Sequence, residues 1–169
     1  NRKRILFFTV NKKQVDTVIP LVKSLKDDRE LEPIVIDWGS NAVKSLSENN
    51  VNYEQFDSYF DLKILRDGMK IARQKMYRWF FIKKRSTSIR NLRYEGYNIS
   101  DVVIEILDRI FQFYVYSSGR DYYTAKEIEK KLKVSAVFVT DEREAKAKTC
   151  IFAAKSCGSR TYNCQRGII

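Results

Sequence analysis

The chain has 169 residues, 44 % of them apolar and 31 % charged, a formal net charge of +11 and no histidine. That length suits one domain with a core of ordinary size, and the composition excludes a disordered or low-complexity chain. The missing histidine excludes Ser-His and Cys-His nucleophilic pairs and removes the commonest metal ligand.

In chain order, residues 4–10 (Arg-Ile-Leu-Phe-Phe-Thr-Val) read as a buried strand, with Asn11, Lys12 and Lys13 as the loop after it. Residues 14–29 carry Val15, Val18, Ile19, Val22 and Leu25 at helical spacing. Pro20 falls inside that pattern, so the helix is expected to start nearer Asp16, with Pro20 in or near its first turns. Residues 32–38 form a second strand stopped by Gly39. Residues 41–49 form a short helix capped by Ser40 or Asn41, and residues 51–56 a weak third strand.

A helical insertion follows. Residues 61–84 repeat apolar side chains at Leu65, Met69, Ala72, Met76 and Trp79. Residues 86–98 read as a loop, and residues 100–116 as a helix capped by Ser100, with Ile110, Phe111 and Tyr114 facing inward. Ser117-Ser118-Gly119 is expected to break it, and Thr124 with Glu127 forms a capping box that opens a helix to Leu132. The last 35 residues then give a strand, an Ala- and Lys-rich helix closed at Gly158, and a short strand running into Gln165-Arg166-Gly167. The order βαβαβ, helices, βαβ predicts one doubly wound α/β domain over residues 1–169. Its parallel sheet has about five strands, with a helical, basic excursion over residues 61–133 between strands three and four.

In such a sheet the loops at the strand carboxyl ends converge on one rim, where ligands bind. These loops hold Lys12 and Lys13, Trp38-Gly39, Asp141 and Glu142, and Gln165-Arg166-Gly167. The set could hold an anionic ligand, with cations countering its charge and Asp141 or Glu142 taking a proton. The same two acids also read as the N-cap and first-turn acid of the next helix. No Gly-x-Gly-x-x-Gly follows the first strand, and there is no phosphate-binding P-loop. Three cysteines make neither a disulfide framework nor a zinc site, so reduced thiols and an intracellular setting are expected.

The charge is regional. Residues 63–93 hold eleven lysines and arginines against one acid, Asp67, leaving only +1 elsewhere. Lys70, Arg73 and Arg78, then Trp79, then Lys83, Lys84 and Arg85, make a basic amphipathic helix with terminal aromatics. That pattern fits an anionic membrane surface. It also fits a solvated face on a helix packed through its apolar stripe. Tyr77, Tyr94 and Tyr97 could stack on bases, but no standard nucleic-acid motif is present, and nucleic acid is not the expected partner. No apolar run approaches the roughly 18 residues of a spanning helix.

The closing segment, above all Thr161-Tyr-Asn-Cys-Gln165-Arg166-Gly167-Ile-Ile, resembles the end of the amino-terminal Rossmann-like domain of GT-B glycosyltransferases of surface-polysaccharide and teichoic-acid-type synthesis. Phe138-Val-Thr-Asp141 is similar to the strand end that precedes it there. The resemblance implies an acceptor-side domain that binds no cofactor itself. The nucleotide sugar would be held by a further domain carboxyl-terminal to Ile169, and a glycan or lipid-linked acceptor would be met at the cytoplasmic face of the membrane. On this reading the isolated chain is inactive. Lys12 and Arg166 balance phosphate charge and Asp141 deprotonates the acceptor hydroxyl. The family's histidine is replaced here by Arg166, which cannot act as a base. Two other readings stand beside it: a non-enzymatic basic module for anionic lipid or nucleic acid, and one half of a sugar-nucleotide epimerase.

Overall fold

A computed structural model describes residues 2–39, 43–141 and 144–164. The chain divides into two compact units, one of Asn1–Asp61 with Tyr122–Ile169 and one of Leu62–Asp121.

The first unit is built on a five-stranded parallel sheet. Strand β1 (Lys3–Thr9) is followed by helix α1 (Lys12–Leu25), β2 (Leu31–Asp37), α2 (Val43–Glu48) and β3 (Tyr53–Gln55). After the second unit come β6 (Ala136–Val139), α7 (Ala145–Cys157) and β7 (Arg160–Asn163). The strand order is β3-β2-β1-β6-β7, and every pairing is parallel. This is the doubly wound arrangement that the strand and helix order implies, with its switch point beside β1.

Side chains alternate along β1 and fill a layer on each face. Phe7 and Val35 pack on Val15, Val18 and Ile19 of α1 and Leu46 of α2. Leu6, Phe8 and Ile36 pack on the other face against Ala125, Ile128, Ala147 and Cys150. Both faces of the central strands are covered, so they read as continuous apolar runs.

The second unit opens with α3 (Leu62–Arg85). It continues through a one-turn helix, α4 (Thr87–Arg90), and a two-stranded hairpin, β4 (Arg93–Tyr94) with β5 (Tyr97–Asn98). Residues 86–98 are therefore ordered structure where a loop was expected. Ser86 caps α4 by accepting from the Ile89 amide, and Glu95 and Gly96 turn the hairpin with φ of 50° and 85°. Helix α5 (Ser100–Arg109) runs through a π-helical turn (Ile110–Tyr114) into α6 (Val115–Leu132) without a break.

Four local expectations are corrected by this geometry. Lys12 and Lys13 belong to the first turn of α1, because the Asn11 side chain accepts from the Gln14 amide and starts the helix there. Pro20 is therefore deep inside α1; it lies on the exposed side, where water can serve the carbonyl it leaves unpaired. Ser117-Ser118-Gly119 is helical, and Thr124 is buried in mid-helix rather than capping. Gly119 serves packing: a Cβ on Gly68 of α3 would lie 2.9 Å from the Arg120 nitrogen, and one on Gly119 would lie 3.2 Å from the Gly68 carbonyl oxygen. The two backbones meet where neither could carry a side chain.

Candidate functional site

The carboxyl ends of β1, β2 and β6 form the rim of the first unit. Thr9 closes β1, and its hydroxyl donates to Asp37 Oδ1 at 3.3 Å. Asp37 closes β2 and is buried. Burial pushes its carboxyl above the usual range, while the Gly39 amide, the Thr9 hydroxyl and the Lys146 charge pull it partly back. The chain then turns at Trp38, whose amide donates to the Thr9 carbonyl at 2.7 Å and whose ring stacks on Phe56 at 3.7 Å. Lys146, in the first turn of α7, donates to the Trp38 carbonyl at 3.1 Å and lies over the Trp38 ring. Gly39 is fixed by sterics, since a Cβ there would lie 2.3 Å from the Val10 carbonyl oxygen.

Gln14 ties this rim together. Its side-chain oxygen accepts from the Val10 amide at 2.7 Å, and its Nε2 donates to Glu144 Oε2 at 2.6 Å. It is buried in the first turn of α1, so the end of β1, the start of α1 and the residue that caps α7 are joined through one amide. Lys12 and Lys13 lie exposed beside it, at a helix start that has no acid in its first turn. Two cations there oppose the positive end of the helix dipole, and an anion placed among them would relieve that opposition.

Asp141 follows β6 at the same rim and is half-buried; it precedes α7, whose cap residue is Glu144, so Asp141 is not the N-cap. Thr140 beside it is buried, with no hydrogen-bond partner for its hydroxyl among the described residues. Glu142, Gln165, Arg166 and Gly167 lie outside the described residues. Strand β7 runs parallel to β6, so Cys164, whose amide donates to the Val139 carbonyl, is at this rim too. Lys12, Lys13 and Asp141 thus share one rim of the sheet. Sequence reasoning missed Gln14, Asp37, Glu144 and Lys146. The signal for Asp37 was present: an acid ending a buried apolar strand needs a partner.

The basic residues of α3 belong to the second unit. Lys70, Arg73, Arg78, Lys84 and Arg85 are exposed. Trp79 is buried, and Lys83 is half-buried and paired. Trp79 stacks on Phe111 and donates through Nε1 to Asp108 Oδ1 at 2.7 Å. Lys83 Nζ donates to Asp108 Oδ2 at 2.6 Å. These two hydrogen bonds, from Lys83 first and Trp79 second, hold the Asp108 carboxyl below its usual range. Met69 and Met76, expected in the buried stripe, are exposed; the inward line is Ile64, Gly68, Ala72 and Trp79. Tyr77, Phe80 and Phe81 are also exposed, and Lys84 lies 4.3 Å from the Phe80 ring centre. A cleft of about 690 Å³ along α3 is lined by Leu62, Leu65 and Met69 together with Arg66, Lys70, Arg73 and Gln74.

Among the described residues no group of cysteines and acids is placed to hold a metal ion, and Cys150, Cys157 and Cys164 form no disulfide. No helix among them is long and apolar enough to cross a membrane.

No protein-family model matches the chain, and no curated protein matches it in sequence. Among solved structures it is similar to a UDP-N-acetylglucosamine 2-epimerase, with a TM-score of 0.54 and 12 % identity over 96 % of this chain and 33 % of that one. It is also similar to MurG of Acinetobacter baumannii, with a TM-score of 0.48 and 14 % identity over 95 % of this chain and 34 % of that one. The chain spans about a third of the length of these proteins. Its fold is accordingly the Rossmann-like α/β fold of a GT-B-type domain.

Proposed function

We propose that this chain is the acceptor-side domain of a GT-B glycosyltransferase-like protein of surface glycan synthesis, working at a membrane surface. The observation that carries the reading is the pair of lysines in the acid-free first turn of α1, on the same sheet rim as Asp141. In this mechanism a second domain brings a nucleotide sugar to the rim. Asp141 takes the proton from the acceptor hydroxyl, the oxygen bonds to the sugar's anomeric carbon, and the nucleoside diphosphate leaves with the electron pair of the broken bond. Lys12 and Arg166 balance the charge that develops on the departing phosphates. The exposed Phe80, Phe81, Lys84 and Arg85 of the second unit suit the headgroup layer of an anionic leaflet.

The likeness to a UDP-N-acetylglucosamine 2-epimerase favours a second reading, in which the same rim serves a sugar-nucleotide epimerase. One experiment separates the two. The full-length protein is incubated with UDP-N-acetylglucosamine, with and without membrane extract as acceptor. Release of UDP only with acceptor, lost in Lys12→Ala and Asp141→Asn, supports transfer. An inverted sugar nucleotide formed without acceptor supports epimerisation. Turnover by the isolated 169-residue chain would overturn the division of labour between domains. Neither product from the full-length protein, with retained binding to anionic vesicles or duplex, would leave a non-enzymatic module.

A further inference from the structure

The opposite edge of the sheet carries a second concentration of charge. A cleft of about 450 Å³ there is lined by five cations, Arg2, Lys3, Arg4, Lys131 and Lys133, and one acid, Glu32. The parallel pairing of β1 with β6 brings them together. It sets Ile5 level with Ala136, and the Ser135 amide donates to the Arg4 carbonyl at 2.9 Å. The start of β1 therefore lies against the end of α6 and the turn into β6.

Several of these groups are held in place. Arg4 Nε pairs with Glu32 at 3.0 Å and its Nη1 donates to the Leu132 carbonyl at 2.8 Å, which neutralises the single acid. Arg2 Nε donates to the Leu31 carbonyl at 2.8 Å. Lys131 pairs loosely with Glu127 at 3.8 Å. Lys3 and Lys133 are exposed and have no side-chain partner among the described residues. Lys133 also sits at φ 51°, left-handed backbone that glycine or asparagine would occupy with less strain. Like charges gathered around one concavity repel, and a bound anion reverses the sign of that interaction. The lining offers no aromatic or aliphatic platform for a base or an acyl chain, and its volume falls within the usual range for a small ligand.

We propose that this cleft binds a compact, multiply phosphorylated group, a pyrophosphate or clustered phosphate monoesters. Arg2 and Arg4 present planar donors and Lys3, Lys131 and Lys133 act as mobile point charges. The site is separate from the Lys12 and Asp141 rim and does not depend on it. The phosphates could belong to a soluble molecule or to a phosphorylated lipid headgroup.

The test is calorimetric titration of the protein with inorganic pyrophosphate, with inorganic sulfate as comparison, and flotation with vesicles of phosphatidylinositol bisphosphate against phosphatidylserine at matched charge. Variants are Lys3→Ala with Lys133→Asn, which keeps the left-handed turn, and Lys148→Ala, an exposed lysine of α7 outside this cleft, as control; thermal unfolding verifies that each is folded. Pyrophosphate is expected to bind in preference to sulfate, with about tenfold loss in the double variant and none in the control, and to weaken as salt is raised. Pyrophosphate binding without vesicle binding assigns a soluble source. Bisphosphate vesicle binding that the double variant loses assigns a headgroup. Equal binding of sulfate and pyrophosphate, or binding that the double variant leaves unchanged in both assays, or no binding in either, overturns the proposal.

Discussion

Gln14 Nε2 donates to Glu144 Oε2 at 2.6 Å, joining residues 130 positions apart across the carboxyl-terminal rim of the sheet. The same side chain accepts from the Val10 amide, so one amide fixes the exit of β1 and the approach to α7. Gln14→Leu would fill the same space but strand a backbone donor and a carboxylate. The expected cost is about 1–3 kcal/mol of stability, read as a lowered urea midpoint with an unchanged slope. An unchanged midpoint would mean the rim is held by other contacts.

Gly39 answers to a different constraint. Its would-be Cβ lies 2.3 Å from a backbone oxygen, which cannot swing aside as a side chain can. Gly39→Ala should destabilise by about 1–3 kcal/mol through backbone displacement. Because Asp37 takes a hydrogen bond from the Gly39 amide, the variant should also disturb that carboxylate. Wild-type denaturation behaviour would show that the turn has slack.

Lys12 is expected to be retained at some cost to stability. Lys12→Glu places an acid at the positive end of α1 and should raise stability by about 0.3–1 kcal/mol at low salt, with the gain shrinking as salt rises. Melting temperatures at two ionic strengths check this. A stabilised protein that has lost affinity for phosphate-bearing ligands at the rim would tie the lysine to binding rather than folding. A destabilised one would refute the dipole argument.

Glu129 of α6 is buried, and neither of its carboxylate oxygens has a hydrogen-bond partner among the described residues. Burial pushes its pKa up to about 7, and the nearby Ser159 hydroxyl, which donates to the Val134 carbonyl, offsets part of that. The folded chain thus keeps a proton that the unfolded chain gives up near 4.5. Stability should fall as pH rises from about 4.5 to about 7 and level off above, by on the order of 3 kcal/mol in all. Glu129→Gln should remove most of this slope and be more stable than the wild type at pH 8. Parallel slopes for the two proteins would place the titration elsewhere.

The doubly wound sheet was legible because β1, β2 and β6 are buried on both faces and so appear as apolar runs between polar turns. The start of α1 was not, because Asn11-Lys12-Lys13 looks like any polar loop until the Asn11 side chain is seen to cap. Continuity through Gly119 was hidden for a related reason. Glycine breaks helices in isolation, and its use here, to let the backbones at Gly68 and Gly119 touch, is a tertiary fact. Ile110 and Tyr114 were assigned inward by a regular 3.6-residue repeat, but the π turn shifts the phase there and both are exposed. At the rim, the chemical types of Lys12, Lys13 and Asp141 could be read from their place after strands. The Gln14–Glu144 and Asp37–Lys146 relationships could not, since they join distant segments.

The position of β1 has a consequence for biosynthesis. Ile5 pairs with Pro33 on one side and with Ala136 on the other. During translation the β2 flank can zip up early, while the opposite flank waits for the whole of the second unit to emerge. Through that interval β1, with Ile5, Leu6, Phe7 and Phe8 in a row, presents unpaired amides and carbonyls to its surroundings. Nascent chains stalled before Ala136 should therefore be ready substrates for chaperones, and prone to coalesce where chaperones are scarce.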